Sequence, residues 1–230
     1  MVVLILTAHQ PCYLPWLGLF HKIAQADQFI SFNQVQYQAK EWNNRNRIKT
    51  SQGPAWLSVP VFRKGRLKQS YKDIKINNNI SWGRKHWNSL LLNYSKTPYF
   101  KNYADYFEDT YNRDWDRLID LNETMLQWFL NTLGIDIKVQ SAEDYNFKGK
   151  KNDLVLDMCL KMGAKTYIFG GEGENYANVS AFNDAHIKVL FDTYNHPIYP
   201  QIHGEFVSHL SIVDLLFNCG SNSFEILMNR

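Results

Sequence analysis

Apolar and polar positions alternate along the chain in two periods, and these periods set the expected elements. Residues 2–7 form a continuous apolar run that predicts a buried first strand. In residues 14–26, Leu14, Leu17, Ile23 and Ala24 recur at spacings that suit a helix packed over that strand, and residues 29–32 read as a second strand. Such a strand, helix, strand unit builds a parallel sheet through a right-handed crossover. Further strands are predicted at 56–62, 74–76, 135–139, 166–169 and 189–193, and helices at 82–94, 103–111, 115–133, 153–162 and 210–217. Gly134 and Gly163 follow two of these helices where a C-cap needs a left-handed residue, and Gly220 lies just past the last. The expected class is therefore α/β, a central mostly parallel sheet flanked by helices. No internal repeat and no Pro, Gly or Ser-rich linker divides the 230 residues, so a single domain over 1–230 is expected.

Composition sharpens this only in part. The chain is 45% hydrophobic, which excludes disorder and low-complexity scaffolds, and its 15% aromatic content favours flat, hydrogen-bonding ligands over lipid. Cys12, Cys159 and Cys219 show no CxxC spacing, so neither a disulfide framework nor a zinc site is written here. The N-terminal apolar run has no basic region before it and is too short for a signal peptide or a membrane span, and a cytoplasmic location is expected. Charge is the uneven property. The net charge is +3, yet residues 40–101 carry 14 basic against 2 acidic groups. A nucleotide phosphate, an acidic partner or a polyanion could be drawn to that segment, whereas the 63–75 stretch, with Gly65 and spaced lysines, reads as a solvated loop.

Three constellations carry the candidate chemistry. The first, His9-Gln10-Pro11-Cys12-Tyr13-Leu14-Pro15-Trp16-Leu17-Gly18, sits where the first strand gives way to its helix, and ligands of open α/β sheets bind at the carboxyl ends of strands. There His9 is a candidate general base, and Gln10 a forked hydrogen-bonding group for an amide or sugar hydroxyl; the alternative is that both satisfy backbone groups of the turn. Cys12 is a weaker candidate nucleophile, with no His and carboxamide placed beside it by the sequence. The second, Trp42-Asn43-Asn44-Arg45-Asn46-Arg47-Ile48-Lys49, alternates carboxamides with guanidinium forks, chemistry suited to phosphate or carboxylate; its alternative is an exposed polar turn. The third runs from Tyr194 through His196, Tyr199, Gln201 and His203 to Ser211 and Asp214. His196 and His203 are separated by Pro197 and Pro200, so no metal-ligand spacing arises, and Ser211 with Asp214 also fits a helix cap. Gly170-Gly171-Glu172-Gly173-Glu174 lacks the Lys of a P-loop, and its acids would repel phosphate.

Taken together, these segments resemble the WbqC-like family, bacterial proteins encoded among genes for surface polysaccharides. The resemblance covers nearly the whole chain and rests on Gln10-Pro11, Pro15 and Gly18, on Trp42 with Asn44-Arg45-Asn46, and on His196-Pro197, Tyr199, Gln201 and the 211–216 segment. Some family members carry the label glycine transferase or aminoacyl transferase. Relatives often have an Asp-Asp pair where this chain has Asn33-Gln34, and some have Met at the position of His9, so neither feature is taken as shared catalytic apparatus. A looser likeness to nucleotidyltransferase-like folds extends to fold only, because Pro15-Trp16-Leu17-Gly18-Leu19 has no histidines.

The resemblance implies a transferase that attaches a small acyl or aminoacyl group, such as glycyl, to an amino-sugar nucleotide in O-antigen or capsule biosynthesis. His9 and His196 are the candidate bases; Gln10, Tyr13, Asn44, Arg45, Asn46, Arg47, Tyr199, Gln201, His203 and Asp214 are the candidate substrate contacts. These segments are expected to converge on one cleft. No acyl-CoA or ATP motif identifies a cofactor, and an aminoacyl-tRNA donor would suit the basic segment. Two other readings compete: a non-catalytic module that binds a sugar nucleotide or polysaccharide precursor, and a nucleic-acid binder whose basic groups share one face.

Overall fold

The computed structural model describes residues 3–38, 41–62 and 69–229. In chain order, β1 (Ile5–His9), α1 (Leu17–Ala24) and β2 (Gln28–Ser31) form the expected opening unit. A hairpin follows, β3 (Arg45–Thr50) and β4 (Gly53–Ser58), and then three helices, α2 (Trp82–Tyr94), α3 (Phe100–Asn112) and α4 (Leu118–Leu133). The chain then returns to the sheet with β5 (Lys138–Ser141), α5 (Asn152–Met162), β6 (Thr166–Gly170), α6 (Val179–Asp184) and β7 (Lys188–Asp192), and closes on α7 (Ile212–Cys219) and α8 (Ser223–Leu227). Gly134 and Gly163 cap their helices at φ +70°, as expected.

The sheet is parallel throughout, in the order β5-β2-β1-β6-β7, with Leu6 opposite both Gln28 and Tyr167. Alternating side chains feed two cores. Phe29 points with α1, α4 and α7 into the larger core, which also takes Phe20, Phe107, Phe129 and Phe217; Leu6, Ala8 and Ile30 point the other way, onto Met158, Phe169 and Phe182. Chain order outward from β1 runs through β2 and β5 on one side and through β6 and β7 on the other. The strand order therefore reverses between β1 and β6, and the crevice at their carboxyl ends is where such sheets bind ligands.

The hairpin is the main departure from expectation. The strand expected at 56–62 ends at Ser58, because Pro60 has no N–H to continue a ladder, and Val61 makes only an isolated bridge to Ile76. The strand expected at 74–76 is reduced to that bridge and one between Lys75 and Arg117. The second constellation, expected as a ligand-binding run or polar turn, is instead strand β3, with Asn46 and Ile48 buried. Of the basic loop expected over 63–75, residues 63–68 lie outside the described residues, and the rest is not a solvated loop: it makes a single 3-10 turn, Tyr71–Asp73, because Tyr71 and Ile74 are drawn into the larger core. Among the described residues, no helix is long and apolar enough to cross a membrane.

Candidate active site at the carboxyl end of the sheet

Two adjoining clefts of about 750 and 730 Å³ open at the ends of β1, β2 and β6, and both are lined by Ala8, His9, Glu41, Trp42, Val155, Tyr167 and Tyr176. The first extends over Gln10, Cys12, Phe32 and Asn43; the second extends over Gly18, Lys22, the 170–173 loop, Asp192, Tyr194 and His209. Size, aromatic walls and a few polar groups are the features of a small-molecule site.

His9 ends β1, with its ring edge-on to Trp16 at 5.3 Å. Its Nδ1 lies 2.7 Å from the Gln10 carbonyl, which can only accept, so Nδ1 carries the proton and Nε2 keeps its lone pair. Nε2 has no protein partner among the described residues. Burial, and then the charge of Lys22, push the imidazole down to about 3, so it is neutral at physiological pH. Cys12 donates to the same carbonyl at 3.3 Å, and burial pushes its thiol up to about 12, which removes the thiolate that covalent catalysis needs.

The turn that follows is held by carboxamides from the second constellation. Asn43 Nδ2 donates to Gln10 Oε1 and to the Pro11 carbonyl, both at 3.1 Å. These two acceptors fix the amide orientation, and they leave Asn43 Oδ1 buried in the cleft wall without a donor. Asn46 Nδ2 donates to the Leu14 carbonyl while its Oδ1 accepts from Arg47 N at 2.7 Å. Leu14 has φ +45°, a strained value for a branched residue, and Asn46 is one of the contacts that hold it there.

The structure thus brings His9 and Gln10 to the cleft and places the other candidates elsewhere. Tyr13 is fully buried, its hydroxyl 2.7 Å from His86 Nδ1 and 2.6 Å from Tyr111 Oη. Asn44 donates to the Val59 carbonyl at 2.8 Å. Arg45 lies 4.4 Å over the Trp56 ring, and Arg47 reaches the His209 carbonyl at 3.2 Å. Asp214 is buried away from the cleft and accepts from Tyr94 and Tyr199 hydroxyls at 2.8 and 2.9 Å and from Gln201 Nε2 at 2.7 Å. The capping alternative holds for Ser211, whose hydroxyl accepts from Val213 N, but Asp214 belongs to this network. His203 Nε2 bonds the Asn93 carbonyl at 3.0 Å. His196 stands behind His209 at a ring distance of 5.1 Å, its Nδ1–H on the Pro197 carbonyl and its Nε2 buried without a partner. From the third segment, Tyr194, Asn195 and His209 line the second cleft. No group of three or more His, Cys, Asp or Glu among the described residues could hold a metal.

Lys22, Asn43, Tyr167 and Tyr176 line the clefts and escaped the sequence reading as site residues. Lys22 had a signal: a lysine one position before the apolar Ile23 and three after the apolar Leu19, on the buried side of α1. Asn43 lay inside a quoted motif, but nothing local distinguishes it from Asn44. The tyrosines come from sequence-distant segments.

The family model for the WbqC-like protein family matches residues 10–226. The uncharacterized protein Rv1507c of Mycobacterium tuberculosis is 35% identical over 220 residues, spanning 95% of each chain. No solved structure matches the chain.

Proposed function

We propose that this chain, which belongs to the WbqC-like protein family, is a transferase that attaches a small acyl or aminoacyl group, such as glycyl, to the amino group of a nucleotide-linked sugar in surface polysaccharide biosynthesis. One observation carries the reading: His9, whose Nε2 is an acceptor with no donor among the described residues, lines an aromatic-walled cleft at the point where strand order reverses. A buried acceptor left unpaired costs about 1–3 kcal/mol, which a ligand N–H would recover. An amine has the N–H to satisfy His9 Nε2. The aromatic walls suit a sugar ring or base, and Gln10, whose Oε1 accepts from Asn43, lines the same cleft.

In the proposed reaction the substrate nitrogen attacks the carbonyl of an activated acyl or aminoacyl ester. The C–N bond forms, the bond to the leaving oxygen breaks, and the proton lost by nitrogen passes through His9 Nε2 to that oxygen. The donor is taken by chemical class, an activated ester, and an aminoacyl-tRNA is one member of it.

The low basicity of His9 favours a second reading, a module that binds a sugar nucleotide without reacting it. Mass spectrometry of amino-sugar nucleotides incubated with the protein and glycyl-tRNA separates the two. The transferase reading expects a product heavier by one glycyl group, and His9→Gln is expected to keep ligand affinity while turnover falls roughly 100-fold. Absence of product, with affinity alone altered in His9→Gln, would establish the binding module.

A further inference from the structure

Lys22 lies one turn beyond Gly18 on α1 and is only 4% exposed. Its Nζ donates to the Ala8 carbonyl at 3.0 Å, and that is its one hydrogen bond among the described residues. An ammonium has three N–H groups, so two remain. No carboxylate among the described residues forms an ion pair with it. Asp192, the acid from β7 in the same cleft, accepts instead from His21 Nδ1 at 2.8 Å and from Gln25 Nε2 at 3.0 Å. An unpaired buried cation is costly to fold around, and this one lines the cleft between the ends of β1 and β6.

We infer that Lys22 is the oxyanion-binding residue of this cleft, taking a carboxylate or phosphate group of the substrate where strand order reverses between β1 and β6. As to which molecule carries that group, the inference rests on the transferase reading, which supplies the diphosphate of the nucleotide sugar because the carboxyl of its donor is esterified; a free carboxylate is the source outside that reading. Position agrees with the general placement of anionic ligands in open α/β sheets. The other charged and titratable groups facing the two clefts are His9 from β1, Cys12 from the turn, Tyr167 from β6, Asp192 from β7, Lys151 just before α5, on the first cleft only, and Glu41, Glu172, Tyr176, Tyr194 and His209 on the walls. Burial lowers the Lys22 amine to about 8, and the charge of Asp192, too far for an ion pair, offsets only part of that effect. An anion bound there would also reach His9. The Lys22 charge is the second cause of the weak basicity of that imidazole, so pairing it with a ligand strengthens the base as the substrate arrives.

Titration calorimetry with uridine diphosphate and with N-acetylglycine tests this on the whole chain. The expected result is binding of one of them, which identifies the source, with affinity roughly 10-fold or more weaker in Lys22→Met and largely kept in Lys22→Arg. In the unmodified protein, affinity should fall as pH rises through about 8, where Lys22 loses its charge, while His9 and Cys12 titrate far from that window. Lys22→Met should melt no lower than the parent, because an apolar chain of similar length replaces a buried charge. Equal affinity in Lys22→Met, pH-independent binding in the parent, or no binding of either compound at millimolar concentration would each overturn the inference. Glycyl transfer by a protein whose anion affinity ignores Lys22 removes only this inference, whereas Lys22-dependent anion binding without any product removes only the transferase reading.

Discussion

His9, Cys12 and Lys22 gather about the carboxyl end of β1, and burial moves each toward its neutral form. For Cys12 this gives a sharp expectation. A thiol held near 12 that donates to the Gln10 carbonyl does nothing a hydroxyl cannot do, so Cys12→Ser should change turnover by no more than roughly twofold. Loss of all transfer activity in that variant would restore a covalent mechanism. Asp214 gives the opposite kind of test. Its removal strands two buried tyrosine hydroxyls and takes an acceptor from Gln201 and a nearby opposite charge from the buried Lys49, and Asp214→Ala should cost about 3 kcal/mol or more, read from the shift of a urea midpoint. Ligand affinity measured below the unfolding range should be unchanged. A variant of full stability that no longer binds ligand would instead make Asp214 the substrate contact that its sequence position suggested.

At the scale of elements, the β3–β4 hairpin works on the turn after β1. Trp42 accepts from Tyr13 N at 3.2 Å, Asn43 ties down Gln10 and Pro11, and Asn46 holds Leu14 at its positive φ. Asn46→Ala should therefore lower stability by about 1–3 kcal/mol and weaken ligand binding as well, although Asn46 does not line the cleft. Calorimetry and urea titration on that variant read both effects, and unchanged affinity would show that the turn keeps its shape unaided. This coupling explains what was legible. The parallel sheet and most helices could be read because apolar residues recur at the right periods, and α2 has the expected bounds. Strand β3 could not, since its inward positions hold Asn46 beside Ile48, and asparagine carries no strand signal until Leu14, 32 residues earlier, supplies the bond. For the same reason the lining of the candidate cleft was legible at His9 and Gln10, which a strand end positions, and illegible at Lys22 and Asn43, whose placement depends on partners remote in sequence.

Over the whole molecule, the two cores meet on opposite faces of one sheet, and titratable side chains are built into the structure near each. His86 accepts from the Tyr13 hydroxyl, donates to the Ser58 backbone, and is lowered by burial to about 4; His9 is lowered to about 3. An unfolded chain would protonate both near 6.5. Between that value and the folded ones the unfolded state binds more protons, so stability is full above about pH 6.5 and is lost as pH falls, by about 1.4 kcal/mol per pH unit for each histidine. Asp214 has the opposite sign. Burial raises its carboxyl, so the folded protein takes up that proton before the unfolded chain does, offsetting part of the loss toward the acid end. The expected outcome is a urea midpoint that falls steeply from about pH 6 to about pH 5, with a shallower slope in His86→Gln, whose amide can still accept from Tyr13, because His9 and His196, both lowered by burial, keep the rest. A midpoint that stays level across that range would mean that the fold does not hold these imidazoles neutral, and with it would go the tautomer that leaves His9 Nε2 open to the cleft.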